Sequence, residues 1–174
     1  NWVQPGKDPI MIDERTVTIS APDNRRRYID FEITLTPQVD VHIGQTNHSF
    51  FAARMTPELS VKGSGRIVNA AGDSAESGTY GKASPWCDYS GRHYGVTEGL
   101  AIFQHPSNPW YPAPWFTRDY GFFSPTPLNW TPKDKGVDWP KDTPVRFAYR
   151  VMVHVGDAAS GRVGAAYVEY TKSK

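Results

Sequence analysis

The stretch Val145–Val155, VRFAYRVMVHV, decides how this chain folds. Val145, Phe147, Tyr149, Val151, Val153 and Val155 take every second position, the period of a β-strand with one face buried. The same alternation puts Arg146, Arg150 and His154 on the opposite, polar face.

The pattern repeats outward from this strand. Tyr28–Thr36 turns Ile29, Phe31, Ile33 and Leu35 inward and Tyr28, Asp30, Glu32 and Thr34 to the other side. Arg15–Ser20 alternates around Val17 and Ile19, and Ala21-Pro22-Asp23-Asn24 supplies the turn that makes the two a hairpin. Arg25-Arg26-Arg27 reads as its solvated tip. Further strands are expected over Val39–Gly44, Ser49–Met55, Arg66–Val68, Ala83–Tyr89, Leu100–Phe103 and from Phe116 to Pro125. Met55–Leu59 suits one helical turn, Gly63–Lys82 is rich in Gly, Ser and Ala, and Leu128–Thr143 is polar and turn-rich. Arg162–Thr171 is expected to close a terminal hairpin through Gly156–Gly161. Nine or ten strands with little helix predict an all-β, antiparallel β-sandwich. Residues 1–13 read as an N-terminal arm or linker and residues 14–174 as one sandwich domain. The start at Asn1 without a methionine predicts the C-terminal part of a longer protein, or a processed product.

Composition narrows the function classes. With 174 residues the chain can bury a core unaided, and its 15 Gly and 15 Pro suit a β-rich, turn-rich architecture. The 19 basic and 18 acidic residues carry no nucleic-acid footprint and no polybasic membrane patch. The single Cys87 excludes an intrachain disulfide and a multi-cysteine zinc site. No apolar run approaches the roughly 18 residues of a membrane span. The phosphate-loop, dinucleotide, zinc-protease and serine-hydrolase motifs are absent, and no cofactor or metal is expected.

Aromatic, proline and possible site residues concentrate in Gly99–Pro127, GLAIFQHPSNPWYPAPWFTRDYGFFSPTP. Prolines at 106, 109, 112 and 114 force an extended path that carries Trp110, Tyr111 and Trp115. Such a loop is a platform for stacking on a flat ligand or, equally, a lid folded over the core. His48 and His105 stand at loop or strand-end positions that suit an acid/base group or a loop brace. Asp88 beside Trp86 is a carboxylate against an aromatic wall, which can grip hydroxyl groups. Arg54 and Arg118 can orient a carboxylate or a sugar hydroxyl, or brace the sandwich. Asp30 and Glu32 share a strand face at about 7 Å, the spacing of an inverting glycosidase pair, although a polar outer face accounts for them more simply.

Four segments carry a family resemblance: Trp86-Cys87-Asp88-Tyr89-Ser90-Gly91, Gly99–Pro109 with its His105-Pro106-Ser107-Asn108-Pro109 ending, Trp115-Phe116-Thr117-Arg118-Asp119-Tyr120-Gly121, and Arg146-Phe147-Ala148-Tyr149-Arg150. Together they resemble the PmoA-like family, a bacterial family of unknown function often labelled methane oxygenase. Where many of those proteins have histidine after the tryptophan, this chain has Phe116, which cannot transfer a proton. A membrane copper oxygenase needs spanning helices and clustered ligands, and the sequence shows neither. A shorter stretch, Thr46-Asn47-His48-Ser49-Phe50-Phe51, is similar to the Thr-Asn-His-Ser-Tyr-Phe segment of galactose mutarotases, whose histidine contacts the sugar. The two resemblances imply a sandwich of the mutarotase type and a carbohydrate ligand, in a secreted or periplasmic protein with an upstream segment or partner chain. In that reading His48, His105 and Asp88 are the catalytic candidates. Arg54, Trp86, Asn108, Trp110, Trp115, Arg118 and Tyr120 bind substrate in an aromatic cleft. The alternative is a non-catalytic structural or protein-interaction sandwich.

Overall fold

The computed structural model describes residues 1–48, 50–131 and 135–172. The strands in chain order are β1 (Met11–Ser20), β2 (Arg26–Pro37), β3 (Val41–Ile43), β4 (Ala53–Arg54), β5 (Arg66–Asn69), β6 (Trp86–His93), β7 (Val96–Gln104), β8 (Trp115–Thr117), β9 (Phe122–Pro125), β10 (Val137–Trp139) and β11 (Val145–Val155). Two α-helices join them, α1 (Ala75–Thr79) and α2 (Val163–Lys172). The main sheet has six strands in the order β1-β2-β11-β7-β6-β5, and each neighbouring pair is antiparallel. Small antiparallel sheets, β10-β3 and β4-β9-β8, complete the sandwich.

The alternation in β2 and β11 builds the core between these sheets. Ile33, Leu35, Phe147 and Tyr149 are buried with Ile102, Cys87, Tyr89 and Ile67 from the neighbouring strands. Trp115, Phe123 and Trp139 of the small sheets close over them. Aromatic faces make the contact: Phe51 stacks on Tyr149 with centroids 4.5 Å apart, and Phe50 on Phe147 at 4.8 Å. Burial of such rings contributes about 1.5–3 kcal/mol each, so the sandwich is held by its aromatic interior rather than by surface ion pairs.

The all-β antiparallel expectation holds, with local differences. The terminal hairpin expected over Arg162–Thr171 is the helix α2, because Val163, Ala166, Tyr167 and Tyr170 recur at helical rather than strand spacing. Val163, Ala166 and Tyr170 pack with Tyr28, Ala101, Phe103 and Met152 on the far face of the main sheet. That face is therefore roofed, and His154, expected on a polar face, is buried there. The single strand expected from Phe116 to Pro125 is a hairpin, β8 and β9, turned at Arg118–Gly121 where Gly121 takes φ +103°. Finally, β1 begins at Met11, inside the expected arm, and Trp2 bridges back to Met11. The strand expected over Ser49–Met55 shortens to β4, and Ser49 lies outside the described residues.

Candidate functional site

The sandwich separates the expected site residues into two groups. Trp115 is wholly buried and its Nε1 donates to the Ser84 carbonyl at 2.8 Å, so it belongs to the core. Trp86 packs against the α2 cluster. Asp88 is buried and 2.6 Å from His154 Nε2, far from any open surface. Burial pushes the Asp88 carboxyl up, while the imidazole beside it works in the opposite direction. Asn108 continues the sheet ladder with its amide: Nδ2 donates to the Ala148 carbonyl at 2.9 Å and Oδ1 accepts from the Ala148 N–H at 2.6 Å. His105 Nδ1 accepts from the Ser107 N–H at 3.1 Å, and its ring meets Tyr170 edge-on at 5.4 Å. These groups brace the bend at which β7 leaves the sheet. Trp110 is exposed and caps a stack with Phe50 and Trp139, both 6.4 Å away.

The second group converges. Strand alternation turns Trp115, Thr117 and Phe123 into the core, and so turns Phe116 and Phe122 to the opposite face of the three-stranded sheet. Register then sets Arg54 across from Phe122. Its guanidinium lies 5.8 Å from the Phe122 ring centre and 5.2 Å from that of the exposed Tyr120. The His48 ring sits 5.6 Å from both Phe116 and Phe122. On the far side Arg118 lies 4.2 Å over Phe116 and 4.8 Å over Tyr80. Phe116 is buried beneath His48, Tyr80, Phe122 and Arg118, so the aromatic surface left open is a shelf of Phe122 and Tyr120 that carries Arg54 and is bordered by His48.

The two arginines differ in availability. Arg118 Nη1 donates to Glu76 Oε1 at 2.6 Å, and the Asp119 N–H donates to Glu76 Oε2 at 3.1 Å, so α1 holds this cation in place. Arg54 has ring contacts but no carboxylate partner among the described residues, which leaves five N–H donors for a ligand. His48 Nδ1 donates to Asn47 Oδ1 at 2.6 Å, which leaves the lone pair on Nε2 and suits it to accept a proton. The shelf can therefore stack an apolar ring face, donate hydrogen bonds to oxygen atoms at its rim, and take up a proton beside them.

His48, Arg54, Arg118 and Tyr120 thus meet, whereas His105, Asp88, Trp86, Asn108 and Trp115 do not join them. Glu76 and Tyr80 escape a reading of the sequence because they lie in the Gly/Ser/Ala-rich segment; their four-residue spacing is its one sign of a helical face. Among the described residues no cluster of three or more His, Cys, Asp or Glu side chains is placed to hold a metal ion. No described helix is long and apolar enough to cross a membrane.

Comparison with protein families matches residues 1–168 to one described as "Family of unknown function (DUF6807)". No curated protein and no solved structure matches the chain.

Proposed function

We propose, for a chain that belongs to this family of unknown function, that it binds or acts on a carbohydrate at the shelf formed by Phe122 and Tyr120 over the buried Phe116. The observation that carries the reading is the convergence of His48, Arg54 and Arg118, from three separate segments, on one aromatic face. Sugar rings present C–H groups on one face and hydroxyls around the edge. An aromatic floor with donors at its rim matches both, and water would compete poorly for the floor. The resemblance of Thr46–Phe51 to the mutarotase segment agrees with this assignment, since it falls on the same His48. In this reading His48 is the proton acceptor, Arg54 binds a hydroxyl or carboxylate, and Arg118 with Glu76 keeps the floor rigid.

The test is calorimetric titration with neutral and acidic monosaccharides and oligosaccharides, on the wild type and two variants. Arg54→Ala is expected to weaken saturable binding about tenfold or more at an unchanged melting temperature, because an exposed side chain contributes little to the fold. Trp115→Ala is expected to lower stability by about 3–5 kcal/mol, since it empties a buried site. Absence of sugar binding by the wild type, or binding indifferent to Arg54→Ala, overturns the proposal.

A further inference from the structure

His48 belongs to a second feature besides the shelf. It lines a cavity of about 390 Å³ between the main sheet and β3. The walls include Met11, Ile33, Leu35, Ile43, Leu128 and Phe147, and the polar side chains reaching them are Arg15, Thr46 and His48. Arg15 is bound through Nε and Nη2 to the Asp13 carboxylate at 2.7 and 2.6 Å, so the cavity holds no uncompensated cation. Close-packed interiors contain few voids larger than a water molecule, and a space of this size with apolar walls falls in the range of small-molecule sites. Phe50 and Phe147 in its lining stack on each other and on Trp139 and Tyr149, so what they offer an occupant is ring edge, which suits edge-to-face contact with an aromatic group. One side chain, His48, therefore borders an aromatic shelf edged with donors on one side and an apolar chamber on the other.

We infer that the substrate is a glycoside with an apolar, preferentially aromatic, aglycone: the sugar lies on the shelf beside Arg54, and the aglycone enters the cavity past His48. The inference rests on the carbohydrate reading above and adds the chemical class of the second half of the molecule. Neither half of the site suits the other half of such a ligand. The shelf offers the rim donors that a phenyl group does not use, and the cavity offers a sugar almost no hydrogen-bond partners, so that burying hydroxyls there is unfavourable. A bipartite ligand satisfies both, with its glycosidic junction at His48.

The experiment compares matched methyl and 4-nitrophenyl glycosides of glucose, galactose and glucuronic acid, together with 4-nitrophenol alone, by calorimetry. For at least one sugar the 4-nitrophenyl member is expected to bind about tenfold or more tighter than the methyl member, from the apolar area it buries. Ile43→Trp, which fills the cavity, is expected to remove that advantage and leave methyl glycoside affinity unchanged. In the wild type, 4-nitrophenol is expected to compete with the 4-nitrophenyl glycoside and not with the methyl glycoside, a readout independent of how the variant folds. Equal affinity of the two members, or an advantage that survives Ile43→Trp in a folded variant, or competition against both members or neither, overturns the inference and leaves the sugar reading standing. Binding of 4-nitrophenol without any glycoside, or no binding at all, overturns both.

Discussion

His154 is wedged. It stands in a cross-strand row with Gly99 of β7 and Ser90 of β6, and its ring passes over the bare glycine to reach Asp88 at 2.6 Å. A Cβ on Gly99 would lie 2.7 Å from His154 Cε1 and 2.8 Å from Ser90 Cβ. On the other side, a Cβ on Gly161 would come within 2.4 Å of His154 Nδ1, so the ring has nowhere to retreat. Gly99→Ala is therefore expected to cost about 1–3 kcal/mol, as overpacking of a rigid interior does, and denaturant unfolding measures it. An unchanged midpoint would mean that the ring can swing away. Strand periodicity put His154 on its correct face, but periodicity reports only which face a residue occupies and never what covers it. The partner of Asp88 lies 66 residues away and leaves no local trace.

At the scale of elements, α2 is the roof of the main sheet and Arg150 is its fastening. The guanidinium lies between the rings of Tyr28 and Tyr170, at 4.4 and 4.6 Å, and binds the Asp30 carboxylate through Nε and Nη2 at 2.6 and 2.8 Å. Tyr170→Ala removes a buried ring and one wall of that clamp. It is expected to destabilise by about 3–5 kcal/mol and to reduce helical circular dichroism before the sheet melts. Retention of both signals would show that the helix docks through Val163 and Ala166 alone. The Asp30 carboxylate, whose spacing to Glu32 suits a glycosidase pair, is thereby occupied by a structural arginine. β2 and β11 were legible because their alternation is long and unbroken. α2 was not, because valine, tyrosine and threonine favour strands locally and the helix is held by tertiary contacts that outweigh propensity. The β8–β9 turn escaped for a smaller reason: one glycine, Gly121, changes the chain direction inside a continuous aromatic run.

Across the whole molecule the aromatic interior sets the response to alkali. Of nine tyrosines, Tyr89, Tyr149, Tyr167 and Tyr170 have phenols pushed well above their ordinary value, in each case chiefly by burial. A raised folded pKa means that these groups support the fold fully below the free value of about 10 and withdraw support as the pH climbs beyond it. The phenolate absorbance of these four is therefore expected to appear only together with unfolding. Ionisation of these four in a protein that stays folded would contradict the packing described. The candidate site was legible to the same uneven degree. His48, Arg54, Arg118 and Tyr120 could be singled out as polar groups beside aromatics, although the same pattern suits a brace of the loop or sandwich equally well, and Arg118 does pair with Glu76. Trp86 and Trp115 fit a core and a cleft equally well in sequence; only the closing of the small sheet over the large one assigns Trp115 to the core, and only the docking of α2 packs Trp86 on the far face.

Cys87 stands at the centre of that closed interior, wholly buried between β5 and β7, and burial raises its thiol well above the usual range. A thiol so placed is invisible to an alkylating reagent for as long as the sheets stay together. Each molecule thus carries one built-in reporter, and its rate of labelling counts the moments at which the sandwich opens.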